Sequence, residues 1–193
     1  MAQSSNICGI DEVGRGPWAG PVVAAAVVLD PNNTPEGLND SKKLTAKRRE
    51  ALFDLIIASS QVGIGEASVE EIDQINILQA TYLAMRRAIT NLPEPPGHAL
   101  IDGNRTPPDL PCSAEAIVKG DAKIPAIAAA SIIAKVTRDR IMTRLDTEFP
   151  GYGWAQNAGY GVPTHAKALI ELGVTPHHRR SFKPIHKILC EQN

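Results

Sequence analysis

Ile7-Cys8-Gly9-Ile10-Asp11-Glu12-Val13-Gly14-Arg15-Gly16-Pro17-Trp18-Ala19-Gly20-Pro21 is the stretch whose reading decides the fold. Its apolar start reads as a short strand, and its Gly/Pro end as a turn. The strand delivers two adjacent carboxylates, Asp11 and Glu12, to the turn that holds Gly14, Arg15 and Gly16. Carboxylates in such a place attract hard cations. Glycines beside them let backbone approach a phosphate or a sugar closely, and an arginine supplies a fork that matches phosphate. The plain alternative is a solvated acidic turn. Strand alternation also sends neighbouring side chains to opposite faces, so both acids serve one ion only if the strand twists into its turn.

Outward from this stretch, Val22-Val23-Ala24-Ala25-Ala26-Val27-Val28-Leu29 reads as a strand buried on both faces, within a strand expected over 20–29. A polar loop over 31–40 leads to an amphipathic helix over 45–60, with Leu52, Leu55 and Ile56 on one face. Residues 61–67 alternate as an edge strand would. Ser68-Val69-Glu70-Glu71 matches a capping box and opens a short helix, followed by a longer one over 76–90. A buried strand over 98–101 ends at Asp102-Gly103-Asn104, and another over 115–118 ends at Lys119-Gly120-Asp121. An alanine-rich helix spans 125–148, one more amphipathic helix covers 164–172, and the remaining end reads as irregular and basic. Strands interleaved with helices make the fold class α/β with a mixed sheet.

At 193 residues the chain suffices for one well-cored domain with a small C-terminal appendage. Aromatic residues make up only 4%, so the core must be aliphatic. No segment resembles a signal peptide or a membrane span. Cys8, Cys112 and Cys190 fit neither a zinc site nor a disulfide framework, which points to a reducing cytoplasm, with Cys8 as a small core residue. A net charge of −1 argues mildly against nucleic-acid binding. Its distribution weakens that objection, because beyond residue 150 Lys167, Arg179, Arg180, Lys183 and Lys187 face only Glu171 and Glu191.

Asp11, Glu12, Asp102 and Asp121 all close strands, and ligand sites of open α/β sheets favour strand ends. Singly, Asp102 reads equally well as the start of an Asp-Gly turn, and Asp121 as a helix cap. Together, four acids within about 5 Å would repel by about 3 kcal/mol per pair at an effective dielectric near 20, which a stable fold avoids unless cations neutralise them. Oxygen-only ligands suit magnesium or manganese rather than zinc. Asp40-Ser41-Lys42-Lys43-Leu44 reads either as an exposed loop or as a phosphate contact. His177-His178-Arg179-Arg180 reads by default as a solvated basic tail, and His165 as a packing or helix-capping residue.

Several of these segments resemble bacterial ribonuclease HII. They are residues 11–17, 40–44, Ile101-Asp102-Gly103-Asn104, Lys119-Gly120-Asp121-Ala122, the run 128–140, Gly159-Tyr160-Gly161 followed by His165, and His178-Arg179-Arg180-Ser181-Phe182. They occur in the family's order over nearly the whole chain. The resemblance implies a ribonuclease H-like mixed sheet flanked by helices, with a catalytic core over 1–150. A short helical, substrate-binding C-terminal region over 151–193 would pack on it. It implies a monomeric endonuclease that cuts the RNA strand of RNA/DNA hybrids and incises duplex DNA at single embedded ribonucleotides. Asp11, Glu12, Asp102 and Asp121 would be the catalytic, metal-binding acids, holding two Mn2+ or Mg2+ ions for in-line hydrolysis that leaves 5′-phosphate and 3′-hydroxyl ends. Gly14, Arg15 and Gly16 would sense the ribose 2′-hydroxyl and its phosphate, Tyr160 would pack on the sugar, and Lys42 and Lys43 would contact phosphate. Trp18, Ala158 and Val162 depart from the family's usual Leu, Lys and Thr on the substrate side. A sugar-kinase or actin-type nucleotide-binding domain, a non-catalytic hybrid-binding module and a ribonuclease HIII are the competing readings.

Overall fold

The computed structural model describes residues 6–191. Five strands, β1 (Ile7–Val13), β2 (Val22–Leu29), β3 (Ser60–Ala67), β4 (His98–Asp102) and β5 (Ser113–Ile117), form one sheet in the order β3-β2-β1-β4-β5. The β1–β2 and β2–β3 pairs are antiparallel; β1–β4 and β4–β5 are parallel. β3 is an edge strand, as its alternation implied.

Period-two alternation assigns the two faces of β2. Val22, Ala24, Ala26 and Val28 pack with Ala80, Ala84, Met85 and Ala88 of helix α2 (Val69–Thr90). Ala25 and Val27 pack with Leu52 and Ile56 of α1 (Ala46–Ser59) and with Ile132, Ile133 and Val136 of α3 (Pro125–Glu148). A continuous apolar run is the signature of a strand covered on both sides. In β1, Gly9 faces α3 so closely that a Cβ there would lie 2.2 Å from the Ala126 carbonyl carbon. Only glycine lets that helix approach the sheet.

The Ser68 capping box is present, with Ser68 accepting from the Glu71 amide and Glu71 accepting from that of Ser68. The expected junction between a short and a long helix appears as a kink inside α2. Asn76 takes φ 67°, and its side chain caps the amides of Leu78 and Gln79. Beyond α3 come α4 (Trp154–Asn157), α5 (Pro163–Leu172) and α6 (Lys183–Glu191). They share a third apolar cluster with the end of α3, in which Met142, Trp154, Leu169, Ile185 and Ala19 are buried.

The C-terminal end of the chain departs from two expectations. The end of the chain is not irregular: residues Lys183–Glu191 are helical, seating Ile185 in that cluster. Ile185, Ile188 and Leu189 recur at helical spacing and share that cluster, a period masked only in a reading by charge. His178 and Arg179 are not a solvated tail either, for both are fully buried.

Candidate active site

The parallel pairing of β1 with β4 ends at Ile10 opposite Ile101, so Asp11 and Asp102 emerge side by side at the carboxyl ends of neighbouring strands. Asp121 does not lie on a strand. β5 stops at Ile117, and Asp121 sits in a 3-10 turn, Gly120–Ala122, that follows the left-handed Lys119. Asp102 pins that turn by accepting the Gly120 amide at 2.7 Å. Carboxylate oxygens of Asp11, Asp102 and Asp121 thereby lie within 4.8 Å of one another.

Glu12 is outside this group. Strand alternation sends Asp11 to the α3 face, against Ser131, and Glu12 to the α2 face. There Glu12 lines a cavity of about 470 Å³ with Asp102, Asn104, Arg105, Tyr82 and Met85, and it accepts from Arg15 at 3.3 Å. Asp102 stands between the two, lining that cavity while completing the aspartate group.

The electrostatics mark an uncompensated cluster. Burial first, then the Glu12 charge, pushes Asp11 well above the ordinary carboxylate range; Asp102 adds to this and the Ser131 hydrogen bond opposes it. Burial likewise raises Glu12, against the opposing Arg15 charge. Asp121 is raised by burial and by the charges of Asp102 and Asp40, with Lys42 pulling the other way. An all-carboxylate donor set that carries more negative charge than its surroundings compensate fits a hard divalent cation, and it offers none of the thiolate or imidazole donors that zinc sites favour.

The segment 40–44 lies beside these acids. Ser41 Oγ is 2.9 Å from Ser131 Oγ, and the 3-10 turn Ser41–Lys43 is capped by the Asp40 side chain accepting from the Lys42 amide. Lys42 is near enough to act on Asp121, and both lysines are exposed. On the other side, Gly16 faces Tyr160: a Cβ at residue 16 would lie 3.4 Å from the Tyr160 ring, which is 47% exposed. Trp18 fills the space above Gly161, where a Cβ would fall 2.0 Å from its ring.

His165 packs rather than caps. It accepts from Trp154 Nε1 at 3.1 Å and stands 3.0 Å from His178 Nε2. Sequence reasoning missed Ser131, Arg138 and Arg179 as parts of this region. Ser131 was visible as the one hydroxyl in the apolar run 126–134 of the alanine-rich helix; nothing local separates the two buried arginines from exposed ones.

The fold and the acid cluster together define a ribonuclease H-type nuclease. The family model described as ribonuclease HII matches residues 8–185. A ribonuclease HII of Ruegeria pomeroyi is 63% identical over 186 residues, covering 96% of this chain and 80% of the relative. One of Magnetococcus marinus is 63% identical over 185 residues, covering 95% and 87%. Among solved structures, ribonuclease H2 of Pyrococcus horikoshii superposes with a TM-score of 0.82 at 30% identity, covering 96% of this chain and 97% of that one. Ribonuclease HII of Archaeoglobus fulgidus, solved in a complex with PCNA, gives 0.78 at 28% identity, covering 94% and 96%. The chain belongs to the ribonuclease HII family. It is accordingly a hydrolytic nuclease with ribonuclease H activity on RNA/DNA hybrids, in a family of divalent-metal enzymes.

Proposed function

We propose that this enzyme incises duplex DNA at single embedded ribonucleotides in addition to cutting the RNA strand of hybrids, leaving 5′-phosphate and 3′-hydroxyl ends. The observation that carries the reading is the aspartate group, with its oxygens within 4.8 Å, in the same molecule as a glycine turn facing an exposed tyrosine. Asp11, Asp102 and Asp121, with Glu12 beside Asp102, would hold two Mn2+ or Mg2+ ions. When bound, such ions lower the pKa of a water and stabilise the leaving 3′-oxygen.

The remaining work falls to the protein. Ser131 orients the Asp11 carboxylate, and the Gly120 amide orients that of Asp102. Gly14, Arg15 and Gly16 present backbone and a guanidinium to the 2′-hydroxyl and its phosphate, the group that separates RNA from DNA. Tyr160 offers a ring to the sugar, and Lys42 and Lys43 offer charge to the phosphate backbone. We assign catalysis to residues 1–150 and much of the substrate grip to 151–193. Among the described residues no helix is long and apolar enough to cross a membrane. The free cysteines suit a reducing compartment.

A labelled duplex with one ribonucleotide, incubated with and without Mn2+ or Mg2+, tests the reading. We expect one nick, at the ribonucleotide and only with the cation. Cleavage of a continuous hybrid without any nick in this duplex would overturn it.

A further inference from the structure

Two arginines are buried to within 1% of complete exclusion from solvent, and neither forms an ion pair among the described residues. Arg179 directs its guanidinium onto backbone carbonyls of the turn that follows β1. It donates to Arg15 O at 3.0 Å, to Gly20 O at 2.8 and 2.9 Å, to Pro21 O at 3.2 Å and to Gly14 O. Arg138, on α3, donates to Pro21 O at 2.9 Å and Ala19 O at 3.0 Å, and with its remaining arm to Ala158 O at 2.8 Å. Burying two unpaired cations is costly unless dipoles replace water. Here the dipoles are carbonyls of two separate segments, the turn holding Gly16 and the loop holding Tyr160.

Backbone contacts close the same frame. The Trp18 amide donates to Gly159 O and the Arg179 amide to Trp18 O, each at 2.8 Å. The packing leaves no slack. A Cβ on Gly14 would fall 2.2 Å from Arg138 Nε, and one on Gly159 would fall 2.5 Å from Ala19 O. With Gly14 at φ 96° and Gly159 at φ 82°, both positions also need glycine's backbone.

We propose that Arg138 and Arg179 are positioning residues, a buried pair that sets the gap between Gly16 and Tyr160 and through it selects the ribonucleotide. The inference rests on the reading of that gap as the ribose contact. Arginine is required because several fixed donors must meet carbonyls in one plane, whereas a lysine ammonium keeps the charge but not the fork. The arginines touch no substrate. They act through the carbonyls they hold, so their loss leaves the aspartate group in place.

The test compares Arg179→Lys and Arg138→Lys with the wild type and with Leu52→Ala, a core truncation between α1 and the sheet that removes stability elsewhere. Each is assayed on a single-ribonucleotide duplex and on a continuous hybrid, and Mn2+ binding is measured by titration. We expect both lysine variants to fold and to bind Mn2+ as the wild type does. Their kcat/KM on the single ribonucleotide should fall on the order of tenfold to a hundredfold, the usual cost of a displaced positioning contact, with a smaller fall on the hybrid. Leu52→Ala should lower both activities equally or not at all. Equal losses on both substrates in the lysine variants, full activity in them, or failure of both to fold would each overturn the proposal. A wild type that does not nick the single ribonucleotide would instead overturn the reading on which it rests.

Discussion

Asp11 carries the chemistry of this site in its surroundings. It is 8% exposed, accepts the Glu12 amide at 2.8 Å and is held by Ser131, yet burial and neighbouring charge raise its pKa. Charge at this position therefore costs the metal-free protein stability. The stability of the protonated form is complete below the carboxyl's unfolded pKa and is lost as pH rises through the raised folded one. Asp11→Asn should abolish cleavage, raise the metal-free unfolding midpoint at pH 7.5, and reduce the further rise that Mn2+ gives the wild type. Calorimetry with and without Mn2+ checks all three against an activity assay. Gly16 makes the opposite point. Its φ is not in the left-handed region, and an added methyl would only touch the Tyr160 ring. Gly16→Ala should leave the unfolding midpoint unchanged and lower cleavage at an embedded ribonucleotide by tenfold or more, on the order of the cost of a misplaced contact. Parallel melting curves and initial rates decide it. Lys42 and Lys43 are exposed, and Lys42 acts electrostatically on Asp121.

At the scale of elements, the strands and helices serve the site through where they end. The register that sets Ile10 opposite Ile101 brings Asp11 beside Asp102, and the kink at Asn76 starts the second part of α2 at the wall of the cavity that Glu12 lines. The single turn α4 ends at Ala158 in left-handed backbone, φ 50°, a C-terminal position that favours glycine. Its amide closes the turn onto Trp154 O while its carbonyl meets Arg138. Ala158→Gly should raise stability by about 1 kcal/mol, because the penalty for a Cβ in that conformation disappears. A denaturant midpoint shifted upward at constant slope would show it; a downward shift would mean that the added chain entropy outweighs the relief. Helix boundaries were largely legible. The alanine-rich helix over 125–148 coincides with α3, and the capping box at Ser68 opens α2. The single turn α4 is too short to show a period, and α6 was anticipated only by the family resemblance, although Ile185, Ile188 and Leu189 keep helical spacing.

On the scale of the whole molecule, the C-terminal third is joined to the sheet by a polar core as well as an apolar one. The hydrogen bonds fix the tautomers of two buried histidines. Thr175 donates its amide to His178 Nδ1, so His178 carries its proton on Nε2 and passes it toward His165 Nε2, and His165 Nδ1 donates to Tyr160 O. Both imidazoles must be neutral for this chain to hold. Burial, with the neighbouring His165, lowers His178 to about 3, and burial lowers His165 too. An unfolded imidazole takes its proton near 6.5, so the stability these residues supply is complete above that pH and is lost as pH falls from 6.5 toward 3. The loss should reach about 1.4 kcal/mol per pH unit for each histidine kept neutral. The raised carboxylates Asp11, Glu12 and Asp121 act in the opposite direction, so the measurement is a difference, metal-free, between Asp11→Asn and the same protein with His178→Asn added. The gap in unfolding free energy between the two should narrow from pH 6.5 to 5; a constant gap would contradict the tautomer assignment.

Order along the chain determined which groups were available: an acidic pair ahead of a glycine turn, two further aspartates after apolar runs, a helix of small residues that can lie close to a sheet. These are local properties, governed by backbone sterics and hydrophobic period, and they remain readable one segment at a time. The meeting of Asp11, Asp102 and Asp121, the turning of Glu12 to the other face, and the conversion of His178 and Arg179 from an apparent basic tail into buried polar core were decided by tertiary structure alone. Strand order, register and the solvent that packing removes are relations between distant segments, and no single segment contains them.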